Sequence, residues 1–241
     1  MSVSRFRVRA IFRKELRDYR RNRTVVATMA LMPVGILIFP LLYVLALPAS
    51  AAGSLRNGDP LVILLGIPAL VPSVVSTYAV VGERQQGTLE PVLSTPAGRE
   101  ELVLGKALAA LAASLTVAYA VYAFFLALTA LDAQPAVASA VLQPRYLVVQ
   151  VLFTPLIAGW SILAGMAIST RASDVRVAQQ IGALVGLPTI LLAYLIAFDV
   201  IHATTGLVLV IAAVLLILDA FGWRLVSAVF DRERLITGTK Q

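Results

Sequence analysis

Six long apolar segments constrain the fold of this chain more than any other feature. They lie near residues 25–47, 60–82, 104–131, 146–169, 177–199 and 205–223. Each holds about 18 or more mostly apolar residues, which is enough for a helix to cross roughly 30 Å of hydrocarbon. Of the 241 residues, 59% are hydrophobic, far from the composition of soluble domains. We therefore predict an all-α polytopic membrane protein, in which residues 1–241 form a single domain of six transmembrane helices.

The basic residues are concentrated on one side of these predicted spans. Of the 20 Lys and Arg residues, only Arg56 and Arg145 fall in the segments on the other side. Cytoplasmic segments of membrane proteins are enriched in Lys and Arg, so both termini are predicted to be cytoplasmic, in a multi-pass protein of the inner or plasma membrane. Because the net charge of +7 is confined to one face, it indicates contact with anionic lipid headgroups and not with nucleic acid. The charged segment before the first span predicts an uncleaved anchor.

The first 23 residues are predicted to form an amphipathic elbow helix on the inner leaflet. Arginines occupy most of its faces, and apolar residues recur at helical spacing on one of them: Val8, Ile11, Phe12, Leu16 and Tyr19. Such a helix could position the first span and touch a cytoplasmic partner. The alternative is a simple positive anchor for the first span.

Between the second and third spans lies a polar segment, residues 83–103. Its first part, from Glu83 to Gln86 between two glycines, is too polar for hydrocarbon and is predicted to protrude into the cytoplasm. In its second part, Thr95-Pro96 marks a turn, and Gly98 with Glu101 three residues later marks a helix start. A helix–turn–helix of this kind could dock into a groove on another protein and transmit its movement. The alternative is a solvated connection.

This segment resembles the signature loop of ABC transporter type-2 permeases. The resemblance is carried by Glu83-Arg84, Gly87-Thr88-Leu89-Glu90, Leu93-Ser94-Thr95-Pro96, Glu101 and Leu104-Gly105-Lys106. A second similarity, to the entry of the family's fifth span, runs through Ser173-Asp174, Val177-Ala178-Gln179-Gln180 and Leu187-Pro188. The sequence departs from the pattern at Gly98, where relatives often have Ser or Thr. With six spans and an elbow helix, the resemblance covers essentially the whole chain.

The resemblance implies a coupling helix that contacts a separate nucleotide-binding ATPase subunit. It assigns ten residues to this ATPase-coupling loop: Glu83, Arg84, Gly87, Thr88, Leu89, Glu90, Leu93, Ser94, Thr95 and Glu101. It further implies a dimer of permeases, homomeric or heteromeric, with two copies of the ATPase, and transport in the export direction. ATP and Mg²⁺ would be bound by the ATPase subunit.

No catalytic residue, cofactor or metal is predicted in this chain itself. A phosphate-binding P-loop would need a glycine where Glu100 stands and a hydroxyl where Ala107 stands, around Gly105-Lys106. The single histidine, His202, lies in a loop, so a histidine–carboxylate metal cluster is not expected. The chain is therefore predicted to be a transporter subunit and not an enzyme.

Three other classes of function remain as alternatives. An intramembrane enzyme would need catalytic groups inside the spans, whereas Glu100-Glu101 lie at a helix start. An ion-driven secondary transporter would carry an acidic residue near the bilayer centre, and the nearest is Asp219, where Arg224 could pair with it. A regulatory or sensing membrane protein would affect an ATPase without any flux. For a permease, spans lined by Ala, Leu, Val, Ser and Thr favour a small hydrophobic or amphipathic compound or a lipid.

Small residues and prolines mark two spans as candidates for the dimer axis or the pathway. In the fifth span, Gly182-x-x-x-Gly186 followed by Pro188 permits close packing and a bend, either at the dimer axis or within one protomer. In the second span, Pro68 and Pro72 predict a bent helix. The hydroxyls of Ser73, Ser76 and Thr77 are expected to bond the carbonyls that these prolines free.

Overall fold

A computed structural model describes residues 3–56, 60–85, 87, 97–198, 200–202 and 204–229. This part of the chain is helical and contains no strand. Its α-helices are α1 (Arg5–Arg21), α2 (Arg23–Ala46), α3 (Gly66–Thr77), α4 (Arg99–Asp132), α5 (Pro135–Val141), α6 (Pro144–Arg171), α7 (Val175–Ala197) and α8 (Thr205–Val229). Two 3₁₀ segments, Ala49–Arg56 and Pro60–Leu65, precede α3, and a π-helical segment, Tyr78–Gly82, and a single turn, Glu83–Gln85, follow it.

Among the described residues, six helical segments are long and apolar enough to cross a membrane. They are α2, the composite segment Leu61–Gly82 (the second span), α4, α6, α7 and α8. This confirms the predicted all-α polytopic membrane fold. The helix α4 begins at Arg99, before the apolar run near 104, because the polar residues after Gly98 continue the same helix outward. Six consecutive spans put α1, the turn Glu83–Gln85, the start of α4 and the end of α8 at one face, here called the amino-terminal face. The described residues 47–56, 133–143 and 200–202 share the opposite face.

The elbow between α1 and α2 is made by one residue. Asn22 has an extended backbone and ends α1, and its Oδ1 accepts hydrogen bonds from the backbone N–H groups of Thr24 (3.1 Å) and Val25 (3.2 Å). An Asn at the N-cap satisfies donors that have no partner within the helix. The chain therefore turns sharply from the elbow helix into the first span.

The second span lies at the centre of the molecule. In its most apolar stretch 83% of the residues are buried, against 11–44% in the other five spans. It packs against α6 and α7, and glycines permit the closest approaches. A Cβ at Gly165 of α6 would overlap Ser76 Oγ, and one at Gly186 of α7 would lie 3.0 Å from the carbonyl oxygen of Ala69. Small residues at helix contacts are the usual way to bring membrane helices together.

The end of the second span at the amino-terminal face is an irregular helix that is bonded by one serine of α6. Ser169 of α6 donates its hydroxyl to the Thr77 carbonyl (2.6 Å) and accepts from the backbone N–H groups of Val80 and Val81 (3.0 Å each). These groups lie where α3 passes into the π-helical segment. The serine thus bonds three backbone groups of the second span in a buried position.

The hydroxyls within the second span serve a different purpose from the one expected. Ser73 donates to the Leu70 carbonyl (2.7 Å), Ser76 to the Ser73 carbonyl (3.1 Å) and Thr77 to the Val74 carbonyl (2.7 Å). A hydroxyl has one proton to donate. The expectation that these groups bond the carbonyls freed by Pro68 and Pro72 was wrong, because each bonds the carbonyl three residues before it.

Candidate functional site

The helix α1 packs its apolar face on the protein. Val8 and Tyr19 are buried, and Ile11, Phe12 and Leu16 are partly buried against a core that includes Leu102 and Val103 of α4. Contact with α4 is closest at Gly105, where a Cβ would lie 2.6 Å from Ile11 Cγ2 and 3.3 Å from the Val8 carbonyl. Only glycine permits this approach. The predicted apolar stripe is therefore covered by the start of the third span.

Four charged side chains lie in this contact and are here called the charge cluster: Lys14 and Glu15 of α1, Glu83, and Lys106 of α4. Lys106 Nζ lies 2.8 Å from Glu15 Oε1 and 2.8 Å from Glu83 Oε1. Lys14 Nζ lies 2.5 Å from Glu83 Oε1 and 3.1 Å from Glu15 Oε1. The cluster joins three segments that are distant in sequence. It lies where the two ends of the polar segment 83–98 meet the elbow helix.

The ion pairs shift the pKa values of Glu15 and Lys14. Burial alone would raise the pKa of Glu15, but Lys106 and Lys14 beside it hold that pKa below its usual value. Burial likewise opposes the charge on Lys14, and the two carboxylates outweigh it, so the pKa of Lys14 is raised. Lys106 is only 2% exposed, so any change that removes one partner leaves a buried charge uncompensated.

A second polar contact ties the amino terminus of α1 to the start of α4. The Glu101 carboxylate accepts from the backbone N–H groups of Ser4 and Gly98, both at 2.7 Å, and lies 3.4 Å from Arg7 Nε. Gly98 is the N-cap of α4, and Glu101 satisfies the cap's N–H, as in one half of a capping box. Glycine has no side chain to supply the other half. The buried Glu101 side chain therefore links the start of α1 to the start of α4.

The structure places four of the ten residues assigned to the coupling loop. Glu83 and Glu101 are buried in the contacts above, and Gly87 has a left-handed φ of 67°. The expectation that Glu83 protrudes into the cytoplasm was wrong, since two lysines neutralise it within the protein. Arg84 continues the helical turn after Gly82. The remaining loop residues lie outside the described residues: Thr88, Leu89, Glu90, Leu93, Ser94 and Thr95. Their contact with an ATPase stays a prediction.

Sequence reasoning missed three members of the charge cluster, namely Lys14, Glu15 and Lys106. A signal for Glu15 was present, because Ile11, Glu15 and Tyr19 are spaced by four and therefore share one helix face. A carboxylate on an otherwise apolar stripe needs a buried cation. No such signal identifies Lys106 as that cation, because it follows α1 by more than 80 residues.

Candidates for the dimer axis or pathway lie around the second span. Gly182 and Gly186 of α7 face it within the same chain, at Thr77 and Ala69 respectively, which is the packing expected of one protomer. Pro188 lies inside α7 and borders a cleft described below. The hydroxyl residues Ser73, Ser76 and Thr77 are buried. Roles of these residues in a dimer or in transport stay predictions.

The acidic residue in the last span lies against a glycine. A Cβ at Gly159 of α6 would be 3.1 Å from both carboxylate oxygens of Asp219, and Oδ1 is buried without a hydrogen-bond partner in the described structure. No ion pair joins Asp219 to Arg224 among the described residues. Five residues along a helix turn the two side chains to different faces, so the expected pair does not form.

These features define a class: a multi-pass, all-α membrane protein whose second and third spans are fastened to an amphipathic helix at one face. The family model described as ABC-2 family transporter protein matches residues 9–235. The chain therefore belongs to the ABC-2 transporter family, and is a membrane component of an ABC transporter, as its sequence predicted. Comparison with curated proteins found no match.

Proposed function

We propose that this chain is the permease subunit of an ABC exporter, driven by a separate nucleotide-binding ATPase. Membership of the ABC-2 transporter family supports the general role. In this proposal two copies of the ATPase bind ATP and Mg²⁺ and act on a dimer of permeases. This chain itself supplies the membrane pathway and no hydrolytic site.

The charge cluster is the observation that carries this proposal. It holds the end of the second span, the start of the third span and the elbow helix together at the two stems of the 83–98 segment. A push on that segment would therefore move three helices at once and would not merely bend a loop. Buried ion pairs and close-packed helices have discrete arrangements, which suits a two-state transmission element.

The orientation follows the distribution of basic residues. The amino-terminal face carries the arginines of α1, and we propose that it is cytoplasmic, where an ATPase and anionic headgroups are found. The opposite face would then be the release side. In this orientation the charge cluster lies next to the proposed ATPase.

The substrate proposed is a small hydrophobic or amphipathic compound or a lipid. The buried surface of the second span combines apolar residues with the hydroxyls of Ser73, Ser76 and Thr77. These hydroxyls already donate their protons to backbone carbonyls of their own helix. The surface therefore offers few unused hydrogen-bond donors to a cargo. Such a surface suits an apolar cargo better than a highly charged one.

The proposal is tested by the ATPase activity that co-purifies with the tagged chain in lipid nanodiscs. Leu89→Asp places a charge in the proposed docking loop and should abolish stimulation of that ATPase. Ser173→Asp is the matched control, because Ser173 is exposed at the same face but outside the 83–98 segment. Both variants should keep the thermal stability of the parent.

Two outcomes contradict the proposal. If no ATPase associates with the chain, it is not a permease subunit of this kind. If Leu89→Asp stimulates the ATPase as well as the parent does, the coupling loop is wrongly assigned. When coupling is found, addition of hydrophobic and amphipathic compounds should raise ATP turnover for the transported class.

A further inference from the structure

An apolar cleft of about 970 Å³ separates α7 from α8 near the opposite face. Its floor is formed by Leu65 of the second span and by Phe153 and Ile157 of α6, which pack in one cluster with Leu215 of α8. Its walls carry Leu192 and Ile196 of α7 and Ile211 of α8. The volume is at the upper end of the range of about 300–1,000 Å³ for small-molecule sites. The cleft is therefore large enough for a hydrocarbon chain.

The rim of the cleft is polar and lies at one end. Arg145 and Tyr146 belong to the first turn of α6, and His202 lies just before α8. Arg145 Nη2 donates to Tyr146 Oη (2.7 Å), and its guanidinium carbon lies 4.5 Å from the centre of the Tyr146 ring. Tyr146 in turn donates to the Leu55 carbonyl (3.3 Å). The arginine is thus held in place by a tyrosine that is itself anchored.

The depth of the cleft matches one leaflet of a bilayer. It extends along α8 from Thr205 to Leu218, which is about 20 Å at 1.5 Å per residue. Half of a hydrocarbon core of about 30 Å is about 15 Å, so an acyl chain from this leaflet fits entirely within it. A headgroup attached to that chain would lie at the level of Arg145 and Tyr146, where aromatic and basic residues usually meet the interface.

The positive charge of Arg145 at the rim favours an anionic headgroup. Arg145 is one of only two Lys or Arg residues in the segments of the opposite face, the other being Arg56. A guanidinium carries five N–H donors in a planar fork, and this geometry matches the oxygens of a phosphate group. We propose that the cleft is a binding site for an anionic phospholipid of this leaflet, with one acyl chain between α7 and α8 and its phosphate on Arg145. The site does not depend on the transport proposal.

The test uses brominated lipids, which quench a nearby tryptophan. The chain has two tryptophans, so the double variant Trp160→Phe, Trp223→Phe is a tryptophan-free background. In this background Leu192→Trp reports on the cleft. Leu191→Trp is the matched control, because Leu191 has the same depth on the same helix but is 61% exposed outside the cleft.

In vesicles, brominated phosphatidylglycerol should quench the Leu192→Trp protein at a lower mole fraction of lipid than brominated phosphatidylcholine. The difference for equal quenching should be about fivefold, because one basic side chain near a membrane surface contributes about 1 kcal/mol. Adding Arg145→Gln should remove this preference. The Leu191→Trp protein should be quenched by both lipids without preference. Native mass spectrometry of the otherwise unaltered chain, with and without Arg145→Gln, should show loss of retained phosphatidylglycerol and does not require the tryptophan-free background to fold.

Three results would overturn the proposal. Equal quenching by both lipids at Leu192→Trp would mean an unselective surface. A preference that survives Arg145→Gln would place the headgroup elsewhere. No quenching by any lipid at Leu192→Trp would mean that protein, such as a second copy of the chain, covers the cleft.

Discussion

At the scale of single residues, the charge cluster determines how the polar segment 83–98 is joined to the rest of the protein. Lys106 makes both of its short ion pairs, to Glu15 and Glu83, while almost fully buried. A buried pair contributes little when compared with apolar packing, but it becomes costly when one partner is removed. The cluster therefore fixes one arrangement of three helices.

Lys106→Met should destabilise the protein by about 3–5 kcal/mol, because the buried carboxylates of Glu15 and Glu83 would then share Lys14 as their one remaining partner in the cluster, leaving one buried negative charge uncompensated. Thermal unfolding in detergent measures this loss. Arg176→Met is the control, since Arg176 is exposed at the same face, and it should stay within about 0.5 kcal/mol of the parent. Equal shifts for the two variants would contradict the assigned role of the cluster.

Stability should fall in acid because of Glu15. Its pKa is lower in the folded protein than in the unfolded chain, so its contribution is complete above about pH 4.3, the ordinary value, and is lost as pH falls through the lower folded value. Unfolding temperatures measured from pH 7 down to pH 3 should show this decrease. Glu15→Gln should lower stability at pH 7 and make the acid dependence shallower. An unchanged slope would show that other carboxylates govern it.

At the scale of helices, close approach and irregular geometry define the second span. Glycines of α6 and α7 let those helices reach its backbone, and Gly105 lets α1 reach α4 in the same way. The π-helical segment at its end depends on a hydroxyl from another helix. The second span is thus held by its neighbours more than by its own sequence.

Ser169→Ala should destabilise the π-helical segment, because the Thr77 carbonyl and the N–H groups of Val80 and Val81 would lose their buried partner. An unsatisfied buried group costs about 1–3 kcal/mol, and thermal unfolding should detect at least one such loss. Thr170→Val is the control, since Thr170 donates only to Ala167 of its own helix. A loss of stability no larger in Ser169→Ala than in this control would contradict the bridging role.

At the scale of the whole molecule, the arrangement of six spans determines which loops share a face. Ser139 of α5 and Ser173 in the loop before α7 are both exposed, and they lie at the two different faces. The chain has no cysteine, so each position can carry a unique label. The two faces can therefore be distinguished experimentally without altering any other residue.

Ser139→Cys should react with a membrane-impermeant maleimide in intact cells, whereas Ser173→Cys should react only after permeabilisation. This follows from the concentration of Lys and Arg at the amino-terminal face. Labelling is read by a mass shift on denaturing gels. The reverse pattern would invert the proposed orientation, and with it the position of the ATPase.

The sequence by itself determined the six spans, the amphipathic character of α1 and the family of the protein. These depend on local periodicity and on a motif of neighbouring residues, which the chain carries whatever its partners are. Only the tertiary structure decided where Glu83 lies, which lysines neutralise it, and that Ser169 completes the second span. Glu83 lies 69 positions from Lys14, and Ser169 lies 89 positions from Val80. The free energy of a buried charge or backbone group is set by such neighbours in space.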